Sequence, residues 1–284
     1  EDPVAIRVTD VQSDRFTIYL TEPSNLNALH GAAETVTYFV LEAGSHHIIN
    51  GAKLEVGTVT TDKTVGRLVA NETETIEFSS EFHASPVVFS QIQTDAGEAY
   101  LQTRLISVDP TSVELGLEQE EKITQQHGVA ETVGYLAIDS STGVWTGLPF
   151  EVFNTPAIVT DQWESITFEG FYQSGPPHLL SSIASYNGLD NSLVRYGNLS
   201  EMGVDFKIAE DRTQDTELAH SVGESVAYLA IGGSGIVTAA APELAPTVTS
   251  LVRNGHGEQY DRLDSVSIVF DGHVIVDGAD LSLS

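Results

Sequence analysis

Residues 127–138 read HGVAETVGYLAI, and this stretch occurs almost three times in the chain. Residues 30–41 read HGAAETVTYFVL and residues 220–231 read HSVGESVAYLAI, so the copies begin 97 and 93 residues apart. Such a period is the length of a small domain and far exceeds one turn of a solenoid. The sequence therefore predicts tandem domains that share a His, a Glu four residues later and an alternating apolar strand.

The middle repeat is the most complete of the three. It also contains the stretches ETIEFSSEFHASPVVFSQIQT (74–94) and LQTRLISVDPTSVELGLEQEE (101–121), whose counterparts in the third repeat are 164–185 and 193–212. The first repeat has a counterpart of the second stretch only, at 5–25, and three arginines align across the repeats without gaps: Arg7, Arg104 and Arg195. We therefore divide the chain into the second half of a first repeat (1–50), a complete second repeat (51–147), a third repeat (148–240) and a tail (241–284).

The first repeat lacks the leading strands of the other two, and an incomplete sandwich exposes unpaired edges and a half-covered core. Three explanations remain open: the missing strands precede this chain in a longer protein, another molecule donates them, or the tail returns to supply them. The tail itself contains three predicted strands, TVTSLVRN, SVSIVFDG and VIVDGADLSL. The chain is accordingly either a fragment of a longer array or a subunit that exchanges strands head to tail into a fibre.

Period-two alternation dominates the chain, as in SVELGLEQ, GVDFKIAE and DRFTIYLT. Asn-Gly pairs at 50–51, 187–188 and 254–255 predict tight turns. No long amphipathic helix is visible. We therefore predict an all-β fold of tandem antiparallel sandwiches with about six strands each, followed by a partial β module at the C-terminus.

The composition excludes several classes of function. The net charge is −29, from 41 acidic and 12 basic residues, and this field repels both nucleic-acid phosphates and anionic membranes. An acidic surface with few lysines suits salty water and divalent cations. Disulfides are excluded because the chain has no Cys, and no apolar run is long enough to span a bilayer. Because the chain starts at Glu1 without a signal peptide, we expect a mature product or part of a longer protein.

The middle repeat resembles the H-type lectin domain, the family of the snail agglutinins. The matching features are TIEF…F…PVVFSQIQT, TRLISVDPTSVEL and ETVGYLAI, whose order and spacing agree over about 65 residues. The third repeat matches less closely, and the first only in its second half. The resemblance implies a six-stranded antiparallel sandwich, a trimeric assembly and binding of N-acetylgalactosamine-type sugars near subunit boundaries. Three copies in one chain also allow a pseudo-trimer.

The family's sugar-contacting residues do not carry over. By register, its Trp-His pair falls on Glu120 and Glu121, on Asp211 and Arg212, and on Pro23 and Ser24. The family's Arg before that strand falls on Tyr100 and Leu193. The resemblance therefore implies the fold but not the sugar specificity.

The polar residues that recur in the repeats are the candidate site. They lie at the acidic end of the central strand and at the His and Glu of the last strand. Carboxylates beside an imidazole can bind a divalent ion, with Ca²⁺ as the candidate, or the hydroxyls of a sugar. The alternative is a His that orders a turn and a Glu on a solvated strand face. The candidate ligand- or metal-binding residues are Glu118, Glu120, Glu121, His127, Glu131, Glu210, Asp211, His220, Glu224, Glu22, His30 and Glu34.

Other residue patterns argue against catalysis. A glycosidase needs two carboxylates in a cleft with separated pKa values, whereas these acids recur at strand ends, and no nucleophile elbow, phosphate-binding loop or HExxH motif is present. His46 and His47 are adjacent, so their side chains point to opposite faces of a strand. We expect Trp145 and Trp163 to fill the junction between the second and third repeats, with stacking on a sugar as the alternative.

Two functions remain. The first is a non-enzymatic, extracellular, carbohydrate-binding or adhesive module of a large secreted bacterial protein, whose partners are glycans or glycosylated surfaces. The second is a structural subunit of an extracellular filament or surface layer that self-associates, head to tail or as a pseudo-trimer, without binding sugar. The family resemblance favours the first function. The missing Trp-His pair and the half-domains at both ends favour the second.

Overall fold

The computed structural model describes residues 4–26, 34–48, 50–97, 100–170, 172–215 and 219–239, and two further strands by backbone alone, at 248–254 and 265–270. The chain divides into two compact units, Glu1–Ala239 and Ala240–Ser284. Apart from one 3₁₀ turn at Ser24–Leu26, all regular structure in these residues is β-strand, which confirms the all-β prediction. None of the described helical structure is long and apolar enough to cross a membrane.

The strands follow one another along the three repeats and the tail. The first repeat (1–50) contains β1 (Ala5–Thr9), β2 (Thr17–Thr21) and β3 (Gly44–His47). The second repeat contains β4 (Lys53–Thr61), β5 (Thr64–Val65), β6 (Glu74–Glu77), β7 (Val87–Ile92), β8 (Leu101–Val108), β9 (Ser112–Gln119) and β10 (Glu131–Ile138). Next come β11 (Ser141–Trp145), β12 (Leu148–Asn154), β13 (Glu164–Thr167), β14 (His178–Ile183), β15 (Ser192–Gly197), β16 (Gly203–Glu210) and β17 (Val226–Ile231). The tail contains β18 (Val248–Asn254) and β19 (Ser265–Phe270), which pair antiparallel; the third predicted tail strand lies outside the described residues.

The second repeat consists of two small sheets. In one, β10 lies between β4 and β7, with β3 at the edge beyond β4; in the other, β9 pairs with β6, β8 and the short parallel strand β5. The alternation in SVELGLEQ predicts an apolar face for β9, and Val113, Leu115 and Leu117 are completely buried. They pack with residues from the first sheet, such as Val133 and Ala137, into one core.

The third repeat has the same arrangement of strands. Here β17 lies between β12 and β14, with β11 at the edge, and β16 lies between β13 and β15. Val204, Phe206 and Ile208 of β16 are the buried counterparts of the β9 residues. The edge strands β3 and β11 each precede the sequence boundary that we placed between repeats, but each pairs with the first strand of the following repeat.

A further apolar core joins the repeats to one another. The outward face of β10 contributes Leu136 and Ile138, and the same face of β17 contributes Leu229 and Ile231. Phe39 of the first repeat packs against this shared core. Each last strand therefore has two apolar faces, one toward its own sandwich and one toward the other repeats, which explains its nearly continuous apolar sequence.

Of the three predicted Asn-Gly turns, one is confirmed, one was wrong and one lies partly outside the described residues. Asn50 and Gly51 form the turn between β3 and β4, as predicted, and Gly51 has a positive φ of 86°. The prediction for Asn187-Gly188 was wrong: these residues lie in an extended connection after β14, where they contact a buried glutamate. Asn254 ends β18, and Gly255 lies outside the described residues.

Candidate functional site

Two of the recurring glutamates have completely buried side chains. Glu131 is the first residue of β10, and Glu224 lies two residues before β17. A buried carboxylate without partners is strongly unfavourable, so neighbouring groups must stabilise both charges.

Backbone N–H groups from the connection after the neighbouring strand, β7 in the second repeat, supply part of that stabilisation. Glu131 accepts hydrogen bonds from the N–H groups of Ala96 and Gly97, each at 3.2 Å. Its other partner in this connection is the hydroxyl of Thr94. Charge-assisted bonds of this kind are about twice as strong as those between neutral groups.

The third repeat reproduces this arrangement. Glu224 accepts hydrogen bonds from the N–H groups of Asn187 at 3.1 Å and Gly188 at 2.7 Å. The Ser185 hydroxyl takes the place of the Thr94 hydroxyl. The connection after β14 is therefore a carboxylate-binding loop.

An arginine from the preceding repeat completes each site. Arg7 Nη2 is 3.2 Å from Glu131 Oε1, and Arg104 Nη2 is 3.2 Å from Glu224 Oε1. None of the four side chains is more than 1% exposed. We call these sites the first joint (Arg7, His127, Glu131) and the second joint (Arg104, His220, Glu224), because each one links two successive repeats.

The histidine of each joint lies against its glutamate and over a glycine. The Nε2 atoms of His127 and His220 are each 3.4 Å from the glutamate Oε1 atom. A Cβ atom at Gly97 would lie 2.8 Å from His127 Cε1, and one at Gly188 would come closer still to His220. Only glycine therefore lets the imidazole reach the carboxylate.

His220 is held between two carboxylates. Its Nδ1–H donates to Glu210 Oε1 at 2.8 Å, while Nε2 faces Glu224. Burial disfavours the imidazolium, but Glu210 and Glu224 outweigh burial and raise the pKa of His220 to about 9. In the second repeat, Gln119 takes the position of Glu210, so the two joints differ in charge.

Both joint glutamates are held ionised. Burial alone would raise the pKa of Glu224, yet the adjacent His220, the hydrogen bonds from Ser185 and Gly188 and the charge of Arg104 lower it to about 2. In the same way, burial opposes the charge of Glu131, but its hydrogen bonds and Arg7 lower its pKa below the usual range. The carboxylate of each joint is thus a buried charge that an arginine compensates.

The predicted strand-end carboxylates also contact neighbouring repeats. Glu120 accepts from the Ser24 N–H at 2.6 Å and from its hydroxyl at 2.8 Å, linking repeats one and two. Asp211 accepts from the Glu121 N–H at 2.8 Å, linking repeats two and three. Asn25 Nδ2 donates to the carbonyl of Arg212 at 3.2 Å, linking repeats one and three.

Glu118 and Glu121 are the two strand-end glutamates whose pKa values are raised. Glu118 accepts from Gln102 at 2.9 Å through one oxygen, while its buried Oε1 has no hydrogen-bond partner. Burial, only partly offset by Arg104 and Gln102, raises the pKa of Glu118 to about 7. Burial and the nearby charges of other acids, partly offset by Arg67, raise that of Glu121 to about 7 as well.

Two of the remaining three candidates lie within the described residues. Glu22 is buried and Glu34 is exposed; each has an interaction partner. His30 lies outside the described residues. Within the described ranges, no group of three or more His, Asp or Glu side chains has the geometry to hold a metal ion. A small pocket beside Glu120 and Glu121 has room for about one water molecule.

The two tryptophans have different environments. Trp145 is 1% exposed, lies edge-on to Phe39 and Phe150, and donates through Nε1 to the Thr238 carbonyl at 2.9 Å. It fills the junction as predicted. Trp163 is 48% exposed, so the same prediction was wrong for it. The ammonium group of Lys207 lies over the Trp163 ring, 4.6 Å from the ring centroid.

Sequence reasoning selected the joint histidines and glutamates but missed their partners. Arg7 and Arg104 are the decisive ones, and their gap-free alignment with Arg195 was the available signal. A second signal was a glycine at the same place in the second and third repeats, Gly97 and Gly188, where each lies under the histidine of its joint. Nothing in one sequence indicated that the arginine of one repeat would reach the glutamate of the next.

These features define an all-β array in which buried ion pairs connect successive repeats. The chain is similar to halomucin from Haloquadratum walsbyi, with 29% identity over 235 residues, which is 82% of this chain. The matching segment is only 2% of the length of halomucin. No protein-family model matches the chain, and no solved structure matches it.

Proposed function

We propose that this chain is a non-enzymatic structural module of a large surface protein, in which the joints keep successive repeats in a fixed arrangement. The observation that carries this proposal is the burial of Glu131 and Glu224. Their oxygens are engaged by protein donors, and an arginine from the preceding repeat supplies the compensating charge. Residues buried in this way act as connectors and are not available to a sugar or an ion from solvent.

A saline environment fits the same proposal. A net charge of −29 destabilises a compact state by self-repulsion at low ionic strength. At about 1 M salt the Debye length is about 3 Å, so surface repulsion is screened while buried pairs are affected much less. The similarity to halomucin, whose name and source both refer to salt and which is by name a mucin, supports a surface role in such an environment.

For the fold, we propose that the second and third repeats are H-type-lectin-like sandwiches. The support is the two-sheet arrangement around β9 and β10, repeated around β16 and β17, together with the sequence pattern that suggested the family. The contacts of all three repeats with one another at their strand ends support a pseudo-trimeric arrangement within one chain.

Carbohydrate binding is the second candidate, and one observation favours it. Trp163 is a half-exposed aromatic ring with a cation above it, and aromatic rings on a surface can stack on sugars. Under this alternative the sugar would be bound at Trp163, away from the joints.

One experiment with two measurements tests the proposal on residues 1–284 in concentrated KCl. Calorimetry should show the three repeats unfolding in one cooperative transition, and Arg104→Met should lower its midpoint or divide it. Arg15→Met, which changes an exposed arginine, is the matched control and should change neither. A glycan array with Ca²⁺ and with chelator should show no saturable binding. Saturable binding that Trp163→Ala abolishes would replace the structural proposal with a lectin function.

A further inference from the structure

The last strand of a complete repeat is covered on both faces and both edges. In β10, Val133 and Ala137 face the repeat's own sandwich and are completely buried. In β17, Val226 and Ala230 do the same. The edges pair with β4 and β7 in the second repeat, and with β12 and β14 in the third.

The corresponding stretch of the first repeat, residues 34–41, is covered on one face only. Phe39 packs against the shared core and lies 5.5 Å, ring to ring, from Trp145. Tyr38 and Val40, which alternate with it, are 66% and 67% exposed. In the described part of the chain, residues 34–41 belong to no strand pair.

The apolar face of strand β2 in the first repeat is also only partly covered. Its apolar positions are Phe16, Ile18 and Leu20, and all three are only partly buried. Their counterparts in β9 are completely buried at 0% exposure. Phe16 touches Tyr38, with 5.4 Å between the ring centroids, so the two halves of an open core already meet.

A polar contact is also missing from the first repeat. The Tyr135 hydroxyl donates to Glu55 Oε1 at 3.1 Å, and Glu55 is a buried residue of β4. Tyr228 lies near Glu151 of β12 in the same way: burial, and next the charge of that carboxylate, raise the pKa of Tyr228. Among the described residues, no carboxylate plays this part for Tyr38.

We propose that the open face of the first repeat binds a lead segment, defined as the chain that carries the counterparts of β4 to β7. The occupant is a segment of the same kind, joined to the N-terminal side of the first repeat. In both complete repeats the lead segment is likewise joined to the N-terminal side of the stretch that aligns with the first repeat, and in the second repeat it is residues 51–97. The partner is therefore a β-segment with a buried glutamate on its first strand, as Glu55 and Glu151 are, and an apolar last strand.

This inference does not depend on the structural role proposed above, because it rests on burial within a single repeat. Its test is the full chain with a copy of residues 51–97 fused before Glu1. In that protein, hydrogen exchange of amides 34–41 should slow by about tenfold or more. Nitration of Tyr38, followed by mass spectrometry, should fall in parallel, and the thermal midpoint should rise.

Two variants of the fused copy control for the added chain. Val88→Asp, made in the copy only, places a charge in the new core and should abolish protection of 34–41. Glu55→Ala in the copy and Tyr38→Phe should have non-additive effects on stability, since they remove the acceptor and the donor of one hydrogen bond. The fusion overturns the proposal if amides 34–41 and Tyr38 stay as accessible as in the parent chain. Concentration-dependent protection of Tyr38 in the unfused chain would also overturn it, because the occupant would then be a second copy.

Discussion

Arg104 lies in the second repeat and Glu224 in the third, yet their Nη2 and Oε1 atoms are 3.2 Å apart in a region where neither side chain is more than 1% exposed. Arg7 and Glu131 have the same separation one repeat earlier. Such pairs are geometrically demanding, because either partner alone would be a buried, uncompensated charge. The joints therefore specify how successive repeats are arranged more than they add net stability.

The first prediction concerns the charge of Glu224. We expect Glu224→Gln to lower the free energy of unfolding by about 3–5 kcal/mol, because Arg104 would remain buried without its counter-charge. Denaturant unfolding in concentrated KCl measures this. Glu201→Gln, at an exposed position in the same repeat, should change it by less than about 0.5 kcal/mol. Equal midpoints for the two variants would show that the second joint does not hold the repeats together.

The second prediction is a dependence of stability on pH from His220. Its pKa is about 9 in the fold against 6.5 for an ordinary imidazole, so the fold favours the protonated form. The stabilisation is fully present below pH 6.5 and is lost as the pH rises through 9. Because each unit of pKa corresponds to about 1.4 kcal/mol, the loss is at most about 3.5 kcal/mol.

Unfolding measured between pH 6 and about pH 10 checks the His220 prediction, with His220→Gln as the comparison. The variant should lose most of the decline across this range. A decline of the same size in His220→Gln would assign the effect to other groups.

The third prediction concerns Glu118, whose raised pKa has the opposite consequence. The folded protein favours its neutral form, so Glu118 destabilises the fold progressively as the pH rises from 4.5 through 7. We expect Glu118→Gln to stabilise the protein by about 1–3 kcal/mol at pH 8 and to have little effect at pH 4.5. Glu114→Gln on the same strand, which is partly exposed, should show no such pH-dependent gain. A destabilising Glu118→Gln at pH 8 would mean that Arg104 needs this charge.

The features that depend on residues close together in the sequence were predictable, whereas those that depend on residues far apart in the sequence were not. The period-two pattern predicted β9 and β16 to the residue, because side chains alternate within one strand. The repeated His and Glu also identified the polar centre of each joint. Sequence alone left open whether those residues face solvent or protein, since the answer depends on an arginine more than a hundred residues away, as with Arg7 and Glu131. The wrong turn at Asn187-Gly188 has the same origin, because a buried carboxylate uses those N–H groups.

The repeat register makes a last prediction, for a third joint. Arg195 aligns with Arg7 and Arg104, and Glu34 aligns with Glu131 and Glu224. The third repeat already contacts the first through Asn25 and Arg212. If each arginine reaches the glutamate of the next repeat in a closed cycle, Arg195 pairs with Glu34.

We expect Arg195→Met and Glu34→Gln to destabilise the protein, and the double variant to cost less than the sum of the two by about 0.5–3 kcal/mol. The pair Arg195→Met and Glu131→Gln, whose members belong to different joints, is the control and should be additive within about 0.5 kcal/mol. Because Glu34 is exposed, its coupling should fall below that of Arg104 with Glu224 and should weaken as salt is added. Additive effects of Arg195 and Glu34 at low salt would mean that the cycle of joints stops at the third repeat.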